Sequence, residues 1–478
     1  MDALEESLEV LKESFRRGKT RSAAWRKSQL KGVVKLVDEN DEKIFKALNE
    51  DIGKHPVEAY RDEIGVVRKS ALHALENLDQ WMAPKKGYLP WVFFPAKARV
   101  VPEPLGLVLI ISSWNFPFSL SVDPLIGAIA AGNTAILKPS ELSPATSSLL
   151  AKLIPLYLDP EAIRVVEGGT AVSERLLEKK WDKIFFTGSS RVGRIVMAAA
   201  AKHLTPVTLE LGGKCPAIVD TLSNSDLEVA IKRIVSGKWG ACYGQACISV
   251  DYILVEEKLA PLLIEKLKSR IRKFYGNNSK DLKDISRVVN KHHFKRLCNL
   301  LNDPAVASSV VCGGSLDEDR SFIEPTILLN PPLDAEIMTE EIFGPLLPII
   351  TVRNIQESIE FINSRPKPLV LYAFTQDSSF KEQIVTQTSS GSVTFNDTTI
   401  QFIVESIPFG GVGESGVGRY HGKYSFDAFS HEKGVLHRTF YLELEPRHPP
   451  WSDFKMKFIR LAYALDYFGL ILLFLGLK

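Results

Sequence analysis

Cysteine is scarce in this chain, and its distribution excludes several classes of protein. The 478 residues hold five cysteines, Cys215, Cys242, Cys247, Cys298 and Cys312. An odd count at irregular spacing argues against a disulfide framework and fits a reducing compartment. Cys242 and Cys247 do not form a Cys-x-x-Cys pair, and no His and Cys cluster completes a zinc site, so no metal is expected. Charge of one sign is lacking as well. Lys and Arg number 59 against 57 Asp and Glu, a net charge of +2, which offers no field for gathering a polyanion; nucleic acid binding is not expected. No apolar run reaches the roughly 20 residues of a membrane-spanning helix. The acidic start Met-Asp-Ala-Leu-Glu-Glu lacks the order of a signal peptide, so an intracellular protein is expected. There is no internal repeat or low-complexity tract, and the Ser/Asn-rich stretches 222–225 and 276–280 read as short loops.

The length exceeds what one core usually serves, so two or three domains are expected. Residues 4–48 carry apolar positions at helical spacing among many charges, which predicts amphipathic helices. Residues 83–104 hold Pro84, Pro90, Pro95, Pro102 and Pro104 around Trp91-Val92-Phe93-Phe94, too much proline for helix and the mark of an excursion. From Gly106, β-rich runs at 107–111, 134–137, 162–166, 183–186 and 207–209 alternate with helical stretches, which implies βαβ units and a parallel sheet. A second series runs through 216–219, 252–255, 347–352 and 369–374. The fold class is therefore α/β with two lobes and a break near Glu210. At the far end, the apolar stretch 467–477 follows Asp466 and the basic Lys455, Lys457 and Arg460. Two readings stay open: an amphipathic helix on an anionic membrane surface, or a tail packed on this chain or a partner subunit.

Three segments carry the chemistry. Gly244-Gln245-Ala246-Cys247 offers a thiol, Glu210 heads Glu-Leu-Gly-Gly-Lys, and Asn115 sits in Trp-Asn-Phe-Pro. A thiolate attacks carbonyl carbon and splits one hard oxidation into two easier steps. An oxyanion formed by that attack needs fixed donors, here the Asn115 amide and the Cys247 N–H. Water that hydrolyses the resulting thioester needs a base, and a carboxylate serves only if its site raises its pKa. Each residue also has a plainer reading: Cys247 as a core cysteine, Asn115 as a turn residue, Glu210 as a solvated strand end. On chemistry alone Cys215 and Cys242 remain alternative nucleophiles, although the flanking glycine and glutamine favour Cys247. The turn 187–191 joins a strand to a helix and aims free N–H groups at a phosphate, but Gly188 to Gly193 is not a Gly-x-Gly-x-x-Gly spacing.

Read together, the segments resemble the aldehyde dehydrogenase superfamily from about residue 23 to 430. The resemblance rests on Trp114-Asn115-Phe116-Pro117, Lys138-Pro139-Ser140-Glu141, Phe186-Thr187-Gly188-Ser189, Glu210-Leu211-Gly212-Gly213-Lys214, Gly244-Gln245-Ala246-Cys247, Glu341-Ile342-Phe343-Gly344-Pro345 and Pro408-Phe409-Gly410-Gly411. The stretches Gly418-Arg419-Tyr420-His421-Gly422-Lys423 and Phe429-Ser430-His431 look like the family 3 branch and its plant members. The resemblance implies a Rossmann-type cofactor domain (1–83 and 107–209), an α/β catalytic domain (210–417), a small β bridging element (84–106 and 418–446) and the apolar tail (447–478). It implies Cys247 as nucleophile, Glu210 as base and Asn115 as oxyanion donor. NAD is expected, with NADP also admitted, on Gly188, Ser189 and Gly193 for the phosphates, Lys138 and Glu141 for the adenosine ribose, and Glu341 with Phe343 for the nicotinamide ribose. A carboxylate near the 2′ position favours NAD by repulsion. Trp114 and Phe409 are expected to line the aldehyde tunnel, and His421 is a further candidate. The implied activity is oxidation of medium or long aliphatic, lipid-derived aldehydes to acids by a homodimer, placed in the cytosol or on the cytosolic face of the endoplasmic reticulum or another membrane. A cofactor-free thioester hydrolase and a catalytically idle scaffold are the alternatives.

Overall fold

The computed structural model describes residues 3–276, 285–441 and 443–477; most of the predicted loop at 276–280 lies outside them. Two compact units form by contact. One comprises Met1–Leu78 with Pro104–Phe429, the other Asp79–Glu103 with Ser430–Lys478.

The larger unit holds two sheets. In the first, Leu107–Ile111, Thr134–Lys138, Lys183–Thr187 and Val207–Glu210 are continuous runs of buried or nearly buried residues, as strands covered on both faces must be. Its order is Gly416–Val417, Val207–Glu210, Lys183–Thr187, Leu107–Ile111, Thr134–Lys138, Ile163–Val165, parallel except for the first pair. From Leu107–Ile111 the chain builds outward in one direction, then returns to build Lys183–Thr187 and Val207–Glu210 in the other. That reversal is a topological switch point, and the crevice beyond the carboxyl ends of its two central strands is where such sheets take ligands. Trp114 and Asn115 follow one of those strands, Gly188 and Ser189 the other. The opening helix Ala3–Arg16 sets Leu4, Leu8 and Leu11 into the core of this sheet beside Leu107, Leu109 and Trp181.

The second sheet is ordered Val310–Cys312, Thr326–Leu329, Leu346–Val352, Tyr252–Glu256, Pro216–Val219, Val370–Phe374, Ser392–Phe395, with one antiparallel pair at the Val310–Cys312 edge. Its core collects Tyr252, Leu254, Leu346, Ile350, Leu371 and the helix residues Phe294, Leu297 and Leu301. The sheets change over between Glu210 and Pro216, where the sequence pattern breaks. Gly416–Val417, at the end of the stretch expected to be wholly catalytic, instead returns to the first sheet and pairs with Leu209 and Glu210. Residues 418–429, expected in the bridging element, belong to the larger unit.

The smaller unit is a three-stranded sheet ordered Lys85–Gly87, Lys97–Pro104, Ser430–His437 together with two short helices, Asp453–Tyr463 and Tyr467–Phe474. These helices close on Phe458, Leu470 and Leu473. Among the described residues, no helix is long and apolar enough to cross a membrane.

Candidate active site

The Cys247 loop precedes the strand Tyr252–Glu256, and it is held from three sides. The Gly244 φ of 82° and a Cβ position 2.3 Å from the Gly344 carbonyl oxygen admit only glycine there. Gln245 is fully buried and donates to the carbonyls of Cys242 (3.0 Å) and Arg287 (2.8 Å). Its own carbonyl accepts from Asn115 Nδ2 at 2.9 Å, so the amide of Asn115 is fixed two residues from the Cys247 thiol. Cys215 donates to the Cys247 carbonyl at 3.2 Å.

These contacts separate the five cysteines. Cys215 and Cys242 are fully buried, and Cys242 donates to the Asn115 carbonyl at 3.4 Å. Cys298 packs against the second sheet's core and Cys312 lies on its edge strand. Cys247 is half-buried and stands within electrostatic reach of two carboxylates. Its thiol is raised by burial first, then by Glu341 and Glu210, so it rests protonated and needs a base before it attacks.

Glu210 ends its strand and is buried, with neither carboxylate oxygen hydrogen-bonded among the described residues. Burial alone raises its pKa well above the ordinary value. Glu341 lies against Gly212, and its pKa is raised to about 8 by burial, with Asp251 adding and the Gly213 N–H, Lys214 and Arg296 opposing. Lys214 is itself tied to Asp251 (2.5 Å) and to the carbonyls of Ile337 and Glu340.

At the switch point, Ser189 caps the helix Ser190–Ala201 by accepting from the Val192 N–H, and Gly193 lies buried against Leu211. Thr187 Oγ1, at the mouth of this turn, is buried without a partner among the described residues. An orphaned hydroxyl beside a helix N-terminus fits a phosphate-bearing cofactor. Lys138 is buried and donates to the exposed Glu141 at 2.6 Å. Burial raises Glu141, but the Lys138 bond, its own backbone N–H and the Lys138 charge together outweigh it and leave the carboxyl below its ordinary range. Phe343 has a φ of 49° and stands edge-on to Trp114 with centroids 5.3 Å apart; His293 covers Trp114 at 5.2 Å. Phe409 lies in a separate ring cluster, stacked on His421 at 5.1 Å and 15° and edge-on to Phe402 and Tyr420.

Sequence reasoning missed what clamps Asn115. Lys54 and Glu63 form a fully buried ion pair. Lys54 also donates to the Asn115 carbonyl at 2.9 Å, and Glu63 accepts from the N–H groups of Phe118 (2.8 Å) and Ser119 (3.2 Å). Burial disfavours the Lys54 ammonium, but Glu63 and its acidic neighbours outweigh it and raise its pKa. Breaking such a pair typically costs about 3–5 kcal/mol, so the loop is rigid. Lys54 sits in the short loop after the helix Ala23–Ile52 and Glu63 in the helical turn Tyr60–Ile64, both among ordinary charged residues, and no motif marks them.

A half-buried thiol, a buried unpartnered carboxylate, a clamped amide and a nucleotide-type switch point define an oxidoreductase that works on carbonyl compounds with a dinucleotide. The family profile described as "Aldehyde dehydrogenase family" matches residues 2–435, and the chain belongs to that family. Aldehyde dehydrogenase family 3 member F1 of Arabidopsis thaliana is 60% identical over 100% of this chain and 99% of its own length. Family 3 member H1 of the same plant is 51% identical over 98% and 96%. The substrate-bound AldH of Staphylococcus aureus superposes with a TM-score of 0.93 at 44% identity, covering 97% of this chain and 100% of that one. The chain is thus a family 3 member of the plant type, an aldehyde dehydrogenase that oxidises aldehydes with NAD or NADP.

Proposed function

We propose that Cys247 is the nucleophile, with Glu210 as the base for hydrolysis and the Asn115 amide with the Cys247 N–H as oxyanion donors. The observation that carries this reading is the half-buried Cys247 thiol, set within charge reach of Glu210 and Glu341 and beside an amide that cannot turn away. Attack on RCHO forms a C–S bond, and the thiol proton leaves to a carboxylate. The adduct on Cys247 becomes a thioester by losing its hydroxyl proton and a hydride, which a bound nicotinamide would accept. Water activated by Glu210 then splits the C–S bond to release RCOO⁻ and restore the thiol. Gly188, Ser189, Gly193, Lys138, Glu141, Glu341 and Phe343 hold the cofactor, and Trp114 and Phe409 flank the aldehyde.

The cofactor lobe covers 1–78 and 107–209, with 79–83, expected in it, belonging to the smaller unit, and the catalytic lobe covers 210–417 with Gly416–Val417 lent back to the first sheet. The substrates are medium or long aliphatic aldehydes derived from lipid, and the working unit is a homodimer. The protein acts in the cytosol or at the cytosolic face of a membrane such as the endoplasmic reticulum, touched through the apolar tail.

The test follows nicotinamide absorbance with NAD or NADP and aldehydes from short to long chain, beside Cys247→Ala. Reduced cofactor should form with the wild type and fall by about three orders of magnitude or more in the variant, as when a covalent nucleophile is removed. Turnover that survives in Cys247→Ala would refute the assignment.

A further inference from the structure

We infer that Tyr420, His421, Asp123 and Glu405, with the buried Ser70, form a proton exit from the Cys247–Glu210 site to the surface beside Lys69 and His73. This rests on the reading of Glu210 as the base. Oxidation of RCHO by NAD⁺ and water to RCOO⁻ and NADH frees two protons per turnover. Both begin in a buried place, because Glu210 is only 4% exposed and has no hydrogen-bonded neighbour among the described residues through which to pass one on.

The chain geometry supplies the route. Gly416 lies opposite Glu210 in the sheet, and four residues further on Tyr420 bridges to Phe409. The Tyr420 ring is fully buried and its hydroxyl has no partner among the described residues. Next in the chain, His421 has a φ of 82°, a left-handed conformation that strains a non-glycine residue. Its ring fills the space between Phe402, Phe409 and Tyr420, with Nε2 unpartnered and 3.6 Å from Asp123 Oδ2. The other oxygen of Asp123 accepts from Ser70 Oγ. The single Ser70 hydrogen can turn instead to Glu405, which accepts from the Gly422 N–H. Gly422 packs against the Glu405 carbonyl, and His73 Nε2 lies beside it, 3.3 Å from where a Cβ would stand. Lys69, on the same helix, is exposed.

Buried polar atoms left dry are destabilising. Here Glu210 Oε1 and Oε2, Tyr420 Oη, His421 Nε2 and Glu405 Oε2 are all without partners among the described residues. Five such atoms along one seam are a place for bridging water, and such a seam conducts protons.

The charges agree with the geometry. The phenol of Tyr420 is raised by burial, then by Glu210, Asp123, Cys247 and Glu405, so it stays neutral within charge reach of both carboxylate groups. His421 is lowered to about 3 by burial, with Lys69 adding, and is neutral too. Asp123 is raised to about 7 by burial and Glu405 against the Ser70 bond, so it takes and yields a proton near neutrality. The groups facing the seam are Glu210 from the strand, Tyr420 and His421, Asp123 from the helix Ser119–Ala131, Glu405, and Lys69, Ser70 and His73 from the helix Gly65–Met82.

The test is single-turnover kinetics with hexanal and NAD. Nicotinamide absorbance reports hydride transfer, and a pH-indicator dye in weak buffer reports protons reaching the medium. In the wild type the two signals should rise together. In Tyr420→Phe and Asp123→Asn, reduced NAD should form at the wild-type rate while protons lag about tenfold, a modest share of what proton-transfer groups contribute. Added imidazole should abolish the lag, which a merely structural role would not allow. Protons that keep pace in both folded variants, a lag that imidazole does not lift, or loss of hydride transfer itself would overturn the exit. Thermal melts identify a misfolded variant, and His421→Gln then takes its place. Glu210→Gln judges the underlying reading separately. It should stall after one equivalent of reduced NAD, and continued turnover there would refute the base whatever the dye shows.

Discussion

Glu210 concentrates the conflict between stability and chemistry in two atoms. A buried carboxylate without hydrogen bonds resists ionisation, and this is what makes it a base near neutral pH. The same shift has a sign in stability. Because the folded pKa lies above the unfolded one, the folded state binds more protons between the two values, so stability falls as pH rises through that window. Glu210→Gln cannot ionise and escapes this loss. It should melt close to the wild type at acid pH and increasingly above it as pH rises toward alkaline values, while thioester hydrolysis falls by about 10²–10⁴. Paired melts and steady-state rates across pH check both halves. A variant no more stable than the wild type at alkaline pH would mean that water already solvates the carboxylate.

At the scale of elements, the hydrophobic pattern placed the strands and stopped one residue short at each place that matters. The apolar runs ended at Leu137, Phe186 and Leu209, whereas the strands run on to Lys138, Thr187 and Glu210. Those added residues are polar because they form the floor of the crevice, and periodicity cannot count them as core. Gly416–Val417 was missed for another reason, since two residues carry no alternation and the pairing is set wholly by the tertiary fold. The candidate residues themselves were legible because glycines and amides recur around them in motifs. The Lys54–Glu63 clamp was not, because charged residues look alike until the fold buries them.

Gly212 makes this testable. A Cβ there would stand 2.0 Å from Glu341 Oε2, whereas one at Gly213 meets nothing closer than 3.7 Å. Gly212→Ala should therefore displace Glu341 and weaken NAD binding about tenfold, roughly 1.4 kcal/mol, with Gly213→Ala near the wild type. Fluorescence titration with NAD measures both. Equal affinities for the two variants would remove Glu341 from the cofactor site.

At the scale of the whole molecule, every candidate site residue lies in the larger unit, and the smaller one carries an apolar surface that the chemistry does not use. Its last helix, Tyr467–Phe474, spans about 12 Å at 1.5 Å per residue, against roughly 30 Å of bilayer hydrocarbon. It can lie on a membrane but not cross one. Asp466 caps it by accepting from the Gly469 N–H at 2.7 Å, so the carboxylate that breaks the apolar run is used at the helix end. Leu470 and Leu473 turn inward to Phe458, while Phe468 is 72% and Ile471 57% exposed, and Lys457 and Arg460 on the preceding helix are exposed as well. Apolar side chains beside cations suit an anionic lipid surface. The full chain should sediment with vesicles of phosphatidylserine and phosphatidylcholine, bind pure phosphatidylcholine less, and release as salt rises. Phe468→Glu with Ile471→Glu should cut binding about tenfold or more, since each change replaces buried apolar area with a charge at the interface. Its turnover of hexanal should be unchanged. If neither vesicle binds and the double variant instead shifts the protein to a smaller species on gel filtration, the apolar face belongs to a second copy of the chain.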